Sequence, residues 1–154
     1  MHDHPIRPSS GFTLIELIVI ISIMGILAVT ALPNFNSSGF NTRGFADETT
    51  AALRYAQKAA IAQRRTVCAK FTNSSLTLAI ASAANATTCN TNLASPAGDS
   101  PFTVTPHSSG ITYTTTPSDF YYNALGQASS GQTITVTGTT GSVIIEQDTG
   151  YVHG

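Results

Sequence analysis

The strongest constraint on this chain is an apolar run of 21 residues near its start, residues 12–32, in which Glu16 is the only ionisable residue. A helix of that length reaches roughly 31 Å, enough to cross the hydrocarbon of a bilayer. A carboxylate in such a helix costs roughly 2.5–3.5 kcal/mol at mid-membrane, and Glu16 needs a partner even near one end. Cleavage between Gly11 and Phe12 would create a free amine four residues away. The run therefore predicts an anchor that is also a processing and assembly signal.

At residues 11–16 (GFTLIE), with the long apolar run that follows, the sequence resembles the class III signal of type IV pilins and type II secretion pseudopilins. The resemblance implies that a prepilin peptidase cuts after Gly11 and methylates the new amine of Phe12. It also implies that Glu16 recruits the subunit into a filament by pairing with a neighbour's N-terminal amine, with Pro33 following the assembly helix. A conventional secretory signal fits less well, because the run exceeds the usual length of about 7–15 residues and contains a glutamate.

The chain divides into four predicted segments. Residues 1–11 form a removable leader, and residues 12–33 form the transmembrane and assembly helix. Residues 34–65 form a hinge and an amphipathic stem helix, and residues 66–154 form an antiparallel β head domain. The predicted fold class is α+β: a long N-terminal helix, half membrane-spanning and half amphipathic, packed on an antiparallel β-sheet head.

The stem helix is predicted at residues 46–65, after a hinge or loosened helix at residues 34–44 that is rich in Asn, Ser and Gly. Acidic residues at its start and basic residues at its end complement the helix dipole. A narrow apolar stripe along it is typical of a helix that lies on a sheet. The apolar stripe consists of Leu53, Ala56, Ala60 and Ile61. The acidic residues at the predicted start of the helix are Asp47 and Glu48.

From residue 66 onward, apolar and polar residues alternate with period two, which predicts strands. The first two strands form a hairpin, and a long loop at residues 81–101 follows them. All the strands are expected to form one antiparallel meander. The clearest are at residues 67–71, 76–80, 102–104, 111–114, 133–137 and 142–146.

Two cysteines, Cys68 and Cys89, fit one intramolecular disulfide in an oxidising compartment. Closing this loop would stabilise the domain by roughly 3 kcal/mol in the chain-entropy model. A pair of free buried thiols is the alternative. Neither cysteine has a second Cys or His at ligand spacing, so a metal site has no support and no cofactor is expected.

The resemblance extends beyond the signal. Residues 120–126 (FYYNALG), 134–137 and 143–152 look like the C-terminal strands of GspH/FimT-type minor pilins. Residues 43–48 and 52–58 are similar to minor pilins of mannose-sensitive haemagglutinin (MSHA) systems. The resemblance implies a non-enzymatic subunit of a type IV-like pilus or a type II secretion pseudopilus. Its partners would be prepilin peptidase, other pilins and the inner membrane, with the head in the periplasm.

Two other functions stay open. Five of the seven basic residues lie at positions 54–70, which supports DNA uptake, although no Lys or Arg occurs from residue 71 onward and the net charge is −1. DNA binding needs several phosphate contacts, so nucleic acid is not the expected partner. A Ser/Thr-rich head could instead be an adhesive tip. No arrangement of His, Ser, Cys or paired acids typical of an enzyme occurs in the sequence.

We expect the substitution Gly11→Ala to leave the 11-residue leader attached to the chain, because the peptidase of this family cuts after glycine. Intact-mass measurement of the membrane-associated chain, beside the wild-type chain from the same cells, checks this. A Gly11→Ala chain that has lost the leader as completely as the wild type would contradict it.

Overall fold

A computed structural model of the chain describes residues 11–31 and 37–154. The chain divides into two compact units, of which the first ends at residue 36 and the second comprises Ser37–Gly154. Most of the predicted leader (residues 1–10), Pro33 and the start of the predicted hinge (residues 34–36) lie outside the described residues. Each unit is described by itself.

The first unit contains helix α1, Leu14–Ala31. Its residues are β-branched or aliphatic at most positions, and apolar side chains occupy every side of it. Among the described residues, no helix combines the length and the apolar character that crossing a membrane requires. The predicted segment 12–33 includes residues 32 and 33, which are not described, and the span stays a prediction.

The second unit begins with helix α2, Ser37–Gln63. Residues 37–44, predicted as a hinge or a loosened helix, are helical, so no hinge interrupts this part of the chain. Tertiary packing overrides their weak helix propensity, since Phe45, one turn further on, is fully buried. As a consequence, Asp47 and Glu48 lie in the middle of α2 and do not cap its start.

The end of α2 was predicted within two residues and has a defined cap. Arg64 adopts the left-handed conformation with φ of 50°. The amide of Arg65 donates to the carbonyl of Ala60 at 3.1 Å, and the amide of Arg64 donates to that of Ile61 at 3.3 Å. This pair of bonds is the Schellman pattern, which satisfies carbonyls that the helix leaves unpaired.

Eight strands follow and form two antiparallel sheets. The first sheet has five strands in the order β3-β2-β1-β5, with β4 also pairing with β2, and the second has three in the order β6-β7-β8. The strands are β1 Val67–Phe71, β2 Leu76–Ala81, β3 Cys89–Asn92, β4 Phe102–Val104, β5 Phe120–Tyr122, β6 Gln132–Thr135, β7 Ser142–Ile145 and β8 Val152–His153. The α+β class is confirmed, but the single meander is wrong.

Two strand predictions fail for physical reasons. Strand β3 lies inside the predicted loop, because its exposed polar residues give no apolar alternation while its backbone still pairs with β2. The segment at 111–114 alternates and buries Ile111 and Tyr113, yet it is no strand. The Tyr113 amide donates to the carbonyl of Asn73, in the turn between β1 and β2 of the first sheet, at 2.9 Å, while Tyr113 also pairs with Val136 beside β6. The segment therefore bridges the two sheets.

The core lies between α2 and the inner faces of both sheets. Leu53, Ala56 and Ala60 are fully buried, as the stripe predicts, because small side chains let the helix approach the sheets closely. Ile61 is an exception, with 47% of its surface exposed. Inward residues of the strands complete the core: Val67, Ala69, Leu76, Leu78, Ile134, Val143, Ile145 and Val152.

A buried polar pair fixes α2 against the bridging segment. The hydroxyls of Thr49 and Tyr113 lie 3.1 Å apart, and Thr49 donates to the carbonyl of Phe45 at 2.8 Å. Burial raises the pKa of Tyr113 to about 12, against a smaller opposing effect of the hydrogen bond with Thr49. Burial also raises the pKa of Tyr122. Both phenols therefore stay protonated at neutral pH; Tyr113 contributes packing and a hydrogen bond, whereas the buried Tyr122 hydroxyl has no hydrogen-bond partner among the described residues and contributes packing.

The predicted disulfide is present between Cys68 in β1 and Cys89 in β3, with an S–S distance of 2.05 Å. Strands β1 and β3 both pair with β2, on its opposite sides. The crosslink therefore ties the polar edge strand to the centre of the first sheet.

We expect a Cys68→Ser/Cys89→Ser double variant to unfold with about 3 kcal/mol less free energy, because the loop it frees spans 21 positions. Denaturant unfolding of both proteins in the same detergent measures the difference. Reduction of the wild type with dithiothreitol serves as the matched control and should give a similar loss. Equal stability of all three proteins would contradict the expectation.

Candidate functional site

The candidate site is the start of α1, where Gly11, Phe12 and Thr13 precede the first helical residue. A Cβ atom added to Gly11 would meet nothing within 4 Å among the described residues. Alanine at this position therefore has no steric cost within the described chain. Any defect of a Gly11→Ala variant would then report recognition by another protein.

Thr13 caps α1 and was not singled out from the sequence. Its hydroxyl oxygen accepts the amide of Glu16 at 3.3 Å, and its carbonyl accepts the amide of Leu17 at 3.2 Å. The signal that identifies it is the capping-box spacing, a threonine followed three residues later by a glutamate. The cap holds the first turn of α1, and with it Glu16, in a defined conformation.

The surface of α1 is apolar and uncovered. All side chains from residue 12 to residue 28 are exposed, and Phe12 exposes 76% of its surface. Burying one large apolar side chain typically stabilises by roughly 1.5–3 kcal/mol, so a helix of this kind is strongly driven toward an apolar environment.

Glu16 is exposed on that apolar surface. Within residues 11–31 and 37–154, no cation lies within ion-pair distance of its carboxylate. An apolar environment that covers α1 would also remove water from Glu16, and an unpaired carboxylate is costly there. In such an environment, a cation beside Glu16 would lower that cost.

The basic residues of the stem are partly engaged in the head itself. Arg54 donates its Nε to the carbonyl of Val152 at 3.0 Å, and Arg65 donates to the carbonyl of Ser82. Lys58, Arg64 and Lys70 are exposed. Two of the five cations thus also hold the fold together.

The titratable groups of the head form pairs and no larger cluster. Glu48 lies 3.6 Å from His107, and Glu146 lies 3.2 Å from His153. In the part of the chain that the structure describes, no group of three or more His, Cys, Asp or Glu side chains is placed to hold a metal ion.

Gln57 clamps two C-terminal turns to α2 and was also not singled out from the sequence. Its Nε2 donates to the carbonyls of Gly126 at 3.1 Å and Thr149 at 2.8 Å. A Cβ atom on Gly150, which has φ of 65°, would overlap the Gly126 carbonyl oxygen. Glycine is therefore required at position 150, and the turn that ends the FYYNALG sequence packs against the stem.

Comparison with known families gives two matches. The family described as "Prokaryotic N-terminal methylation motif" matches residues 6–32, and the family described as "Type II transport protein GspH" matches residues 46–149. No curated protein matches the chain. Among solved structures, the crystal structure of the type IV minor pilin FimU of Pseudomonas aeruginosa is similar, with 16% identity over 72% of this chain and 85% of that chain and a TM-score of 0.49.

We expect Thr13→Ala to speed hydrogen exchange at the Glu16 amide by about fivefold, because loss of an N-cap costs roughly 1 kcal/mol at the helix start. The exchange rate is measured by NMR on the full chain in micelles. Thr13→Ser keeps the hydroxyl and is the matched control. Equal exchange rates in the alanine and serine variants would contradict a capping role.

Proposed function

The chain belongs to the family of the type II transport protein GspH, and on that premise we propose that it is a structural minor pilin or pseudopilin, a subunit of a type IV-like pilus or a type II secretion pseudopilus. Membership confirms the family predicted from the sequence, and the methylation motif lies where it was predicted. The MSHA subtype stays a prediction.

The observation that carries the proposal is the apolar surface of α1 with one unpaired carboxylate. A helix that is apolar on all sides needs lipid or other helices around it. We propose that α1 anchors the subunit in the inner membrane before assembly, with the head in the periplasm. In the filament, the α1 helices of neighbouring subunits would take the place of the lipid.

We propose that prepilin peptidase removes the leader after Gly11 and methylates the amine of Phe12. The new ammonium group lies at the positive end of the α1 dipole, where a cation is unfavourable. A carboxylate from a neighbouring subunit's Glu16 would neutralise it, and the ammonium would in turn satisfy that Glu16. Since both charges are costly when buried alone, pairing favours the assembled state.

DNA uptake is a weaker alternative, because no Lys or Arg follows residue 70 and the net charge is −1. An adhesive role has no specific observation in its favour. A gel shift with the chain at low and moderate salt separates the first alternative from the proposal, since phosphate-driven binding falls steeply with salt.

We expect Glu16→Ala and Glu16→Gln to insert in the membrane normally but to appear in purified filaments at a level at least about tenfold lower than the wild type. Breaking a buried ion pair typically costs roughly 3–5 kcal/mol, which is ample for this effect. Quantitative immunoblots of membrane and sheared-filament fractions measure it.

Ser22→Ala is the matched control, because Ser22 donates to the carbonyl of Ile18 within the same helix and carries no charge. It should enter filaments as the wild type does. If both Glu16 variants occur in filaments at the wild-type level, the assembly proposal is wrong.

A further inference from the structure

A groove of about 360 Å³ lies in the head between α2 and the β6–β7 hairpin. Its floor includes the buried side chains of Ile134, Val136 and Val143. The helix side of its rim carries Arg43, Asp47 and Arg54, and the opposite side is formed by residues 139–142 together with Gly154, which lies against Ser142. The groove thus combines an apolar floor with a charged rim, as binding sites for small ligands and peptides commonly do.

The length of the groove fits a short extended peptide. Four of the α2 residues that line it, Arg43, Asp47, Thr50 and Arg54, are spaced three or four apart, so they occupy one face of the helix. Eleven residues of helix extend roughly 17 Å at 1.5 Å each. An extended chain covers that distance in about five residues at roughly 3.3 Å each, and alternate side chains point to the same side.

The rim offers an acidic side chain one cation that has no partner in the described part of the chain. Within the described ranges, the guanidinium of Arg43 has no hydrogen-bond or ion-pair partner, not even Asp47 one turn away. Arg54 is held at the rim by its bond to Val152. Two cations and one carboxylate line the helix side, and a planar guanidinium can bind a carboxylate through two parallel hydrogen bonds.

We propose that this groove binds an extended segment of a neighbouring filament subunit, in which an acidic side chain lies between apolar ones. The carboxylate binds Arg43, and the apolar side chains lie over the floor beside Ala46, which lines the groove and is partly exposed. The inference rests on the proposed function, because it requires that the chain joins a filament, and it adds the head contact that places the subunit there.

The test uses the full chain in the cells that assemble the filament. A photoreactive benzoylphenylalanine replaces Thr140 on the rim of the groove, or Asn90 in β3 as the control. After irradiation, we expect the Thr140 position to crosslink to another filament subunit. Mass spectrometry should map the crosslink to a segment that contains Asp or Glu, and the Asn90 position should give no such adduct.

Charge reversal tests the role of Arg43. We expect Arg43→Glu to lower the yield of the adduct about fivefold, and Lys58→Glu, on the same helix but outside the groove, to leave it unchanged. Replacing the mapped partner carboxylate with lysine should restore the adduct to Arg43→Glu. Resistance of Cys68 and Cys89 to thiol alkylation verifies that each variant has folded and formed the disulfide. If Arg43→Glu does not fold, Arg43→Gln takes its place.

Three results would overturn the groove inference while leaving the filament role intact: a chain present in filaments without the Thr140 adduct, an adduct that Arg43→Glu does not reduce, or a mapped segment without a carboxylate. A wild-type chain that is absent from filaments overturns the proposed function, and the groove inference with it.

Discussion

The head depends on the close packing of one helix against two sheets. Alanines at positions 52, 56 and 60 of α2 are fully buried, and their small side chains allow the helix to contact strands of both sheets. Bulkier residues there would force the sheets apart, because protein interiors tolerate little added volume. The same helix carries Gln57 and Arg54, which donate to the carbonyls of Thr149 and Val152 near the C-terminus. The position of the C-terminal backbone against the rest of the head therefore depends on α2.

The periodic parts of this fold could be predicted from sequence. The β1–β2 hairpin and the stem stripe follow from apolar spacing, and the end of α2 lies close to its predicted position. The start of α2 could not be predicted, because Asn, Ser and Gly favour loops locally and the burial of Phe45 is a tertiary effect. Strand β3 was missed for the related reason that its stability comes from backbone pairing and the disulfide.

The functional residues likewise divide into those that local sequence predicts and those that only the folded structure brings together. Gly11, Phe12 and Glu16 were predicted from the resemblance of residues 11–16 to the pilin signal, which is a local sequence and needs no long-range contact to be seen. Thr13 could have been identified from the capping-box spacing. Gln57 could not, since its partners Gly126 and Thr149 are brought to it only by the folding of the head. The groove beside Arg43 depends on the same long-range packing, so no local sequence pattern predicts it.

The two units carry different parts of the proposed function. The first offers an apolar surface with one carboxylate, which is incomplete without lipid or neighbouring helices, and the second has its own core, crosslink and groove. This account joins them in one claim: the chain is cut after Gly11 and takes its place in a filament through the new amine and Glu16.

The most direct test of that claim is mass spectrometry of the N-terminal peptide of this chain recovered from purified, sheared filaments. The account predicts a peptide that begins at Phe12 and carries one methyl group on its amine. A chain in filaments that still begins before Gly11, or a chain that never occurs in filaments, would contradict it.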